Sequence, residues 1–356
     1  MKRMTKIAIL ISLVFAFAGI AMGGFTHSIT EKPNAWWGTG GTKDTLWNWG
    51  KEVESYLDGA TGTGKVFFVD SGEGDDTYDG TSPAKAKATI DAAVGLCTAN
   101  RGDVIYVMQG HNEAVGAAAD DIDFDVAGIT VVGIGRGTLK PTLDYDGDVA
   151  QSVHIGAGNI TLANLRFRVS AADVNQAIFI DASGDGFAIV NCDFGYAETA
   201  TDEFVYAIDI NGVASDGLIK GCMFKAGGAA AVGAINIDAA VVGLTIEDNI
   251  MYGDYSTAVI YGQVACDDLI IRHNILFNGT MGGDGELNNE PAIEVADSTA
   301  GFVLDNRIVS DVATGLAMRV ADDMVFMNNY ISDTDGDEYS GTKEDDAASI
   351  TAHADG

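Results

Sequence analysis

Acidic and amide side chains recur at equivalent places in several short apolar segments, where they could bind a sugar hydroxyl or transfer a proton. The segments read Ala-Ile-x-Ile or Ala-Ile-x-Val, and this two-residue period predicts short strands with x on the outer face. The x positions hold Asp209, Asn236 and Glu294, and the positions two residues further on include Asp181, Asn211 and Asp238. If the strands are parallel neighbours, successive side chains lie about 4.8 Å apart. Carboxylates that close raise one another's pKa, which general acid catalysis exploits.

Few basic groups could complete such a site. Arg272, followed by His273, and Arg319 are the ones close enough in the repeat to act as partners. The candidate catalytic set is therefore Asp209, Asp238, Glu294, Arg272 and Arg319. The alternative is that these polar residues form the solvated outer faces of ordinary strands. For His111 and His154 the sequence predicts no partner.

A second acidic segment suggests a cation site. Asp333, Asp335 and Asp337 alternate with other residues and loosely resemble a calcium loop. They lack the spacing and the closing Glu of an EF-hand. Acidic loops are also expected in a chain with 52 Asp and Glu residues against 20 Lys and Arg residues. Ca²⁺ is therefore the one cofactor that the sequence suggests, and a plain acidic loop is the alternative.

The four cysteines are too few for a disulfide-dense fold in a chain of 356 residues. Their spacing does not match a zinc site. Cys192 and Cys222 occupy the same place in consecutive repeats and are expected to stack inside the protein. A disulfide bridge and a pair of free thiols both remain open.

A repeated strand pattern must position all of these residues. An apolar residue, a spacer, an apolar residue, a polar spacer and two more alternating apolar residues recur in segments 160–167, 187–194, 218–224, 244–252, 269–277, 302–308 and 324–331. The Ala-Ile-x-Ile strands lie between these copies. Such a unit cannot bury its apolar face alone, so the repeats are expected to stack into one continuous core. An Asn often follows the first strand, which predicts an internal amide ladder rather than a catalytic role for Asn164, Asn191, Asn274 and Asn306.

A helix is predicted to close the N-terminal end of this stack. Ser82 is a suitable N-cap, and Pro83 fits the first turn. Ala86, Ile90, Val94 and Cys97 then fall on one apolar stripe. A solenoid end exposes apolar side chains and unpaired strand edges, and such a cap would cover them.

With these elements the chain resembles the pectate-lyase-like parallel β-helix proteins. The resemblance is carried by the repeats and by Lys65-Val-Phe-Phe-Val-Asp70, Asp75-Asp-Thr-Tyr-Asp79-Gly80-Thr-Ser82-Pro83, Ala88-Thr-Ile90-Asp-Ala-Ala and Gly102-Asp-Val-Ile-Tyr-Val107. It covers residues 65–332 and implies an all-β fold, a right-handed parallel β-helix solenoid with an N-terminal capping α-helix. The superfamily holds lyases, hydrolases, tailspikes, adhesins and inert scaffolds, so it implies a fold and not one function.

The chemistry that the resemblance implies has identifiable requirements. Pectate lyases bind calcium with outward-facing Asp residues and use an Arg as base. Polygalacturonase-type hydrolases need a cluster of Asp residues with a Gly-His-Gly and an Arg-x-Lys nearby. This sequence contains neither of the last two motifs.

The start of the sequence predicts export. Lys2, Arg3 and Lys6 precede an apolar run over residues 7–17 and small residues up to Gly24, as in a secretory signal peptide. The expected organisation is a signal peptide (1–23), a Trp-containing arm (24–64), an N-terminal cap (65–115), the β-helix (116–332) and an acidic tail (333–356). We therefore expect a secreted or cell-surface protein with no membrane insertion after signal cleavage.

All four tryptophans lie in the arm, at Trp36, Trp37, Trp47 and Trp49. These rings could seal the N-terminal end of the solenoid. Alternatively, they could dock on another subunit or on a host structure, because aromatic anchors dominate interface energies.

The missing catalytic signatures and the Trp-containing arm predict an extracellular or surface scaffold without catalysis, in a filament, an adhesin or a virion. The alternative is a polysaccharide-active enzyme, either a lyase or a glycoside hydrolase, or a carbohydrate-binding protein that uses the acidic face. The expected partners are further copies of the chain, in a homo-oligomer or filament, or an extracellular polysaccharide. A net charge of −32 disfavours nucleic acid, anionic membranes and uronic-acid polymers, unless calcium or a basic patch intervenes.

Overall fold

A computed structural model shows stacked parallel strands wound into a β-helix. The chain divides into two units, residues 1–64 and 65–356. The structure describes residues 64–115, 122–147, 150, 152–171, 173–195, 202–226, 231–279, 290–310, 318–319, 323–332, 342–344 and 349–351. Within these residues no helix has the length and apolarity that crossing a bilayer requires.

Three sheets form the sides of the solenoid. Sheet A contains β1 (Val66–Val69), β2 (Val104–Val107), β5 (Thr130–Gly133), β8 (Thr161–Ala163), β11 (Ala188–Val190), β14 (Leu218–Lys220), β17 (Thr245–Glu247), β20 (Leu269–Arg272), β23 (Gly301–Leu304) and β26 (Met324–Met327). Sheet B contains β3 (Asn112–Ala114), β6 (Thr142–Tyr145), β9 (Arg166–Val169), β12 (Asp193–Phe194), β15 (Met223–Lys225), β18 (Ile250–Gly253), β21 (Ile275–Asn278), β24 (Arg307–Ser310) and β27 (Tyr330–Ser332).

Sheet C completes each coil. It contains β4 (Ile122–Phe124), β7 (Val153–Ile155), β10 (Val174–Ile180), β13 (Phe204–Ile210), β16 (Gly233–Ile237), β19 (Ile260–Gly262), β22 (Ile293–Val295), β25 (Met318–Arg319), β28 (Thr342–Glu344) and β29 (Ser349–Thr351). The chain passes from sheet A to B to C and then begins the next coil. The last pair, β28 and β29, is antiparallel. The strands of successive coils pair in parallel, for example β10 with β13. The predicted parallel solenoid is therefore confirmed.

The core is a column of apolar side chains that repeat from coil to coil. Leu162, Ile189 and Ile219 are fully buried and lie in register on neighbouring strands of sheet A. On sheet B the rings of Phe167 and Phe194 stack with centroids 4.7 Å apart, and Phe224 stacks on Phe194 at the same distance. Each buried side chain of this size contributes about 1.5–3 kcal/mol of hydrophobic stabilisation. The apolar spacing in the sequence thus fixes both register and core.

Two residues form the corner between sheets A and B from β8 to β27. The first residue has a positive φ, between 53° and 57° at its non-glycine members Asn164, Asn191, Asp248, His273, Asp305 and Asn328. Asn and Asp adopt this left-handed conformation more easily than other non-glycine residues. The second residue points inward. This repeated corner keeps the coils in register.

The inward corner position builds the amide ladder, but with different members from those predicted. The side chains of Asn249, Asn274 and Asn306 each donate from Nδ2 to Oδ1 of the next Asn, at 3.0, 3.0 and 2.9 Å, and the last acceptor is Asn329. Asn274 and Asn306 are therefore ladder residues, as predicted. Asn164, with Asn191, instead occupies the left-handed position one residue earlier.

The same inward column continues through the cysteines. Cys192 and Cys222 take the place that Asn holds in later coils, and the backbone N–H of Cys192 donates to Sγ of Cys222 at 3.4 Å. The four cysteines are free thiols in this structure.

The predicted capping helix is shorter than its apolar stripe. Pro83–Lys85 forms one 3₁₀ turn, Ser82 makes no side-chain cap, and helix α1 spans only Ile90–Val94. A further 3₁₀ turn spans Gly137–Leu139. The helix begins late because the chain at Lys87 pairs with the edge of β1, where its N–H donates to Phe68 O at 2.8 Å. Thr89, not Ser82, is the N-cap.

Candidate functional site

The outer face of sheet C carries one continuous column of polar and aromatic side chains. Strand register aligns it in the order Asp123, His154, Phe179, Asp209, Asn236, Tyr261, Glu294 and Arg319. We call this set the sheet C column. It places Asp209, Asn236 and Glu294 on one line, because the central residue of each apolar-x-apolar strand points away from the core.

Asp209 is held by a hydrogen-bond relay that crosses three coils. Nδ2 of Asn236 donates to Oδ1 of Asp209 at 2.7 Å. Nε2 of Gln263 donates to Oδ1 of Asn236 at 3.0 Å. Asp209 is only 8% exposed and Asn236 only 2% exposed, although both lie on the outer face. The relay therefore fixes the orientation of a nearly buried carboxyl group.

Burial raises the pKa of the Asp209 carboxyl above its ordinary value, since a charge is poorly solvated there. The hydrogen bond from Asn236 opposes this rise in pKa, and the carboxylate of Asp238 adds to it. Burial also raises the pKa of the Tyr206 phenol, with further contributions from Asp209, Tyr261 and Asp238. These groups are thus close enough to act on one another. Asp209 keeps its proton at a higher pH than an exposed Asp does.

Asp238 lies beside this cluster in a more open position. It follows β16, is exposed, and accepts a hydrogen bond from Nδ2 of Asn211 at 3.2 Å. Asp209 and Asp238 are one coil and two residues apart, so strand spacing and rise put their backbones about 8 Å from each other. One carboxyl group is nearly buried and the other is open to solvent.

The two basic candidates lie on different sheets. Nη1 of Arg319 is 3.2 Å from Oε2 of Glu294, its register neighbour in the sheet C column. Arg272 belongs to sheet A, where its Nε donates to Oε2 of Glu247 at 2.7 Å. The prediction grouped them by their nearness in the repeat, but Arg272 lies in β20 of sheet A and Arg319 in β25 of sheet C. The structure brings Asp209, Asp238, Glu294 and Arg319 to sheet C and leaves Arg272 elsewhere.

Both histidines have partners, contrary to the sequence interpretation. Nδ1 of His154 is 3.1 Å from Oδ1 of Asp123, and Nε2 is 3.2 Å from Oδ2 of Asp181. Its ring centroid is 5.6 Å from that of Phe179. Val153-His-Ile155 has the same apolar-x-apolar form as the other members, so extending that pattern would have found His154.

His111 has a structural role near the N-terminal end. Its Nδ1 accepts from the backbone N–H of Ser71 at 3.0 Å, and its Nε2 lies 2.9 Å from Oε2 of Glu113. Glu113 in turn accepts from the N–H of Ile90 at 3.1 Å, which caps α1. His111 is therefore separate from the sheet C column.

Several predicted residues lie outside the described part of the chain. They are Trp36, Trp37, Trp47 and Trp49 of the arm, and Asp333, Asp335 and Asp337 of the suggested calcium loop. Among the described residues, no group of three or more His, Cys, Asp or Glu side chains is arranged to hold a metal ion.

Comparison with solved structures bears on the fold. The chain matches the GH136 lacto-N-biosidase from Eubacterium ramulus with a TM-score of 0.51 and 12% identity, over 81% of this chain and 58% of that one. At this identity the match shows the fold alone, a parallel β-helix. A PL6-family alginate lyase matches with a TM-score of 0.46 and 14% identity, over 77% and 38%. A rhamnogalacturonan lyase matches with a TM-score of 0.39 and 13% identity, over 77% and 89%.

The chain thus spans 58% of the length of the lacto-N-biosidase and 38% of that of the alginate lyase. No protein-family model matches the sequence, and no curated protein matches it. The lacto-N-biosidase, whose TM-score is above 0.5, is a carbohydrate-active enzyme. This finding contradicts the leading sequence prediction, a scaffold without catalysis, and favours the alternative, a polysaccharide-active protein.

Proposed function

We propose that this chain is a secreted glycan-active protein that hydrolyses a glycosidic bond on the outer face of sheet C. The observation that carries the proposal is the pair of carboxyl groups with opposite surroundings, Asp209 and Asp238. The raised pKa of Asp209 suits a proton donor, and the exposed position of Asp238 suits a group that activates water. The fold likeness to a lacto-N-biosidase supports a glycan as the substrate.

In the proposed reaction Asp209 donates its proton to the glycosidic oxygen as the bond to the anomeric carbon breaks. Asp238 removes a proton from a water molecule, whose oxygen forms the new bond to that carbon. The backbones of Asp209 and Asp238 lie about 8 Å apart, which allows their carboxyl groups the separation of about 6.5–9.5 Å that an inverting glycosidase needs for this water. Asn236 and Gln263 keep the Asp209 carboxyl in position.

Hydrolysis fits this arrangement better than β-elimination. A lyase needs a base that removes a proton next to an acidic sugar carboxyl group, together with positive charge to stabilise that group. The guanidinium of Arg319 is paired with Glu294, and that of Arg272 is paired with Glu247 on another sheet. The described part of the sheet C column therefore offers one arginine, Arg319, and it is paired with a carboxylate rather than placed for proton removal.

The substrate that suits this face is an uncharged polysaccharide. The column and its flanks carry Asp123, Asp181, Asp238 and Glu294, and the whole chain has a net charge of −32. Such a surface repels uronate polymers. Phe179 and Tyr261 present partly exposed rings in the same column, and sugar faces stack on such rings. The carboxylates and amides between them suit sugar hydroxyl groups.

The test is release of reducing ends from a panel of neutral and uronic-acid polysaccharides. We expect activity on a neutral polymer and a loss of about 10²–10⁴-fold in Asp209→Asn, the usual contribution of a general acid. Asp267→Asn is the matched control, since Asp267 is an exposed residue of an isolated β-bridge outside the column. Activity confined to uronates, or full activity in Asp209→Asn, would reject the proposal.

Export is part of the proposal and is tested separately. The basic and apolar start of the sequence supports cleavage near Gly23. Mass spectrometry of the protein from culture medium should show a mature N-terminus close to residue 24. An intact Met1 on protein retained inside the cell would argue against it.

A further inference from the structure

The outer face of sheet A is almost free of charge in a strongly acidic protein. Its ten strands each present two outward side chains, including Val66, Val132, Leu218, Ile270, Phe302 and Val325. Among all these outward residues, Lys220, Glu247 and Arg272 carry charge. The chain as a whole has a net charge of −32. The charge that keeps copies of this protein apart is therefore absent from this face.

The three charged residues largely neutralise one another. Nζ of Lys220 is 2.5 Å from Oε1 of Glu247, and Nη2 of Arg272 is 2.5 Å from Oε2 of the same carboxylate. The hydrogen bond from Lys220, with the help of Arg272, lowers the pKa of Glu247, so the carboxylate stays ionised between its two cations. The outward strand residues sum to one positive charge, and the corner residue Asp248, whose Oδ2 is 3.4 Å from Nζ of Lys220, offsets it. The residues of this face therefore add little to the long-range repulsion between two acidic copies.

The apolar side chains of this face are accessible. Val66 is 41% exposed, Phe302 42%, Val325 45% and Met327 55%. Exposed apolar residues that are contiguous on a sheet mark interaction surfaces, whereas scattered single ones do not. Register makes Phe302 and Val325 direct neighbours.

We infer that the outer face of sheet A is a self-association surface, on which a second copy of the chain packs face to face. Ten strands give nine spacings of about 4.8 Å, and four residues span about 13 Å, so the face measures roughly 560 Å². Two such faces bury about 1,100 Å², which passes the ~1,000 Å² expected of a specific interface. Flat sheets pack in this way about 10 Å apart.

The distribution of charge favours the outer face of sheet A over the outer faces of sheets B and C as the place where a second copy binds. Sheet B also exposes an apolar run, Met223, Ile250 and Ile275, but charged residues flank it in register, with Arg166 and Asp193 on one side and Arg307 on the other. The sheet C column is acidic, as described above. Association through sheet A is driven by apolar burial and opposed by long-range repulsion, so added salt should strengthen it.

Sedimentation velocity of the purified full chain tests this inference. We expect a monomer–dimer equilibrium whose dissociation constant falls at least tenfold between 50 mM and 1 M NaCl. The variant Phe302→Asp/Val325→Asp should weaken the dimer at least tenfold. Met223→Asp/Ile250→Asp is the matched control, since it places two carboxylates on in-register exposed positions of sheet B, and it should leave the dimer intact.

Circular dichroism establishes that both variants fold. A chain that stays monomeric at every salt and protein concentration overturns the inference. A dimer that survives Phe302→Asp/Val325→Asp, or one that only the sheet B variant disrupts, also overturns it, because the interface then lies elsewhere.

Discussion

Asn236 donates a 2.7 Å hydrogen bond to Asp209 across neighbouring strands, although both side chains lie on the outer face of the solenoid. This bond stabilises the ionised form of Asp209, whereas burial stabilises the protonated form. One replaceable amide therefore opposes the rise in pKa that burial causes in the proposed proton donor.

Replacing that amide should move the pH dependence of the proposed activity. Asn236→Leu removes a donor to the carboxylate, so the pKa of Asp209 should rise further. The alkaline limb of kcat/KM, where the acid loses its proton, should then shift to higher pH. Gln263→Leu removes only the outer member of the relay and should shift it less. A shift to lower pH would contradict this role for Asn236.

Glu247 should stabilise the fold in a pH-dependent way. The hydrogen bond from Lys220 lowers its pKa in the folded state below the unfolded value of about 4.3. This contribution is fully present above the unfolded value and is lost as the pH falls through the folded value. Urea unfolding at pH 7 and pH 3 should show that Glu247→Gln loses less stability on acidification than the wild type. The difference should be about 1 kcal/mol, because solvent screens the half-exposed cations.

The control for Glu247 is Glu73→Gln, at an exposed carboxylate in a turn. It should leave the pH dependence of unfolding unchanged. An equal effect from both substitutions would mean that overall charge, and not the Lys220–Glu247–Arg272 arrangement, governs acid stability.

The amide ladder should contribute strongly to stability. Asn274→Leu deprives the N–H and Nδ2 of Asn249 of their acceptor, and these groups are buried. Buried donors without partners cost about 1–3 kcal/mol each, so we expect a loss of about 3 kcal/mol in the free energy of unfolding. Asn175→Ala, at an exposed position in β10, should change it by less than about 0.5 kcal/mol. Equal effects in chemical denaturation would show that the ladder is energetically neutral.

The left-handed corner should accept glycine and reject β-branched residues. Asn191 has a φ of 53°. Asn191→Gly should change the free energy of unfolding by less than about 0.5 kcal/mol, whereas Asn191→Val should cost about 1–2 kcal/mol. Thermal unfolding of both variants measures the difference. If Asn191→Val were as stable as Asn191→Gly, the left-handed backbone conformation at this corner would not limit which residues it accepts.

The repeat carried most of the predictable information. The spacing of Leu162, Ile189 and Ile219 determines register, and register determines which outward residues share a column. Asp209, Asn236 and Glu294 were therefore aligned from sequence alone. The spacing does not reveal how deeply a side chain is buried. Asp209 is only 8% exposed although it lies on an outer face, where Asn236 contacts it.

The errors came from the corners and the ends, where one residue changes the direction of a side chain. Asn191 and Asn274 look equivalent in the pattern, yet one is the left-handed residue and the other points inward. Arg272 lies in a strand of sheet A, whereas Asp209 lies in sheet C, so the two are not brought together. The predicted capping helix does not extend through Lys87, because this residue pairs with β1 instead. Helix propensity describes the local sequence alone and cannot predict such a pairing.

The uniform two-residue corner between sheets A and B has a practical consequence. From β8 onward every coil turns there with the same geometry, while the connections from sheet B to sheet C differ in length. A whole coil can therefore be duplicated, because the inserted coil would meet the coils before and after it with the same corner geometry. Each added coil would lengthen the sheet C column by one strand spacing, about 4.8 Å. The length of the outer polar face could therefore be changed in equal steps.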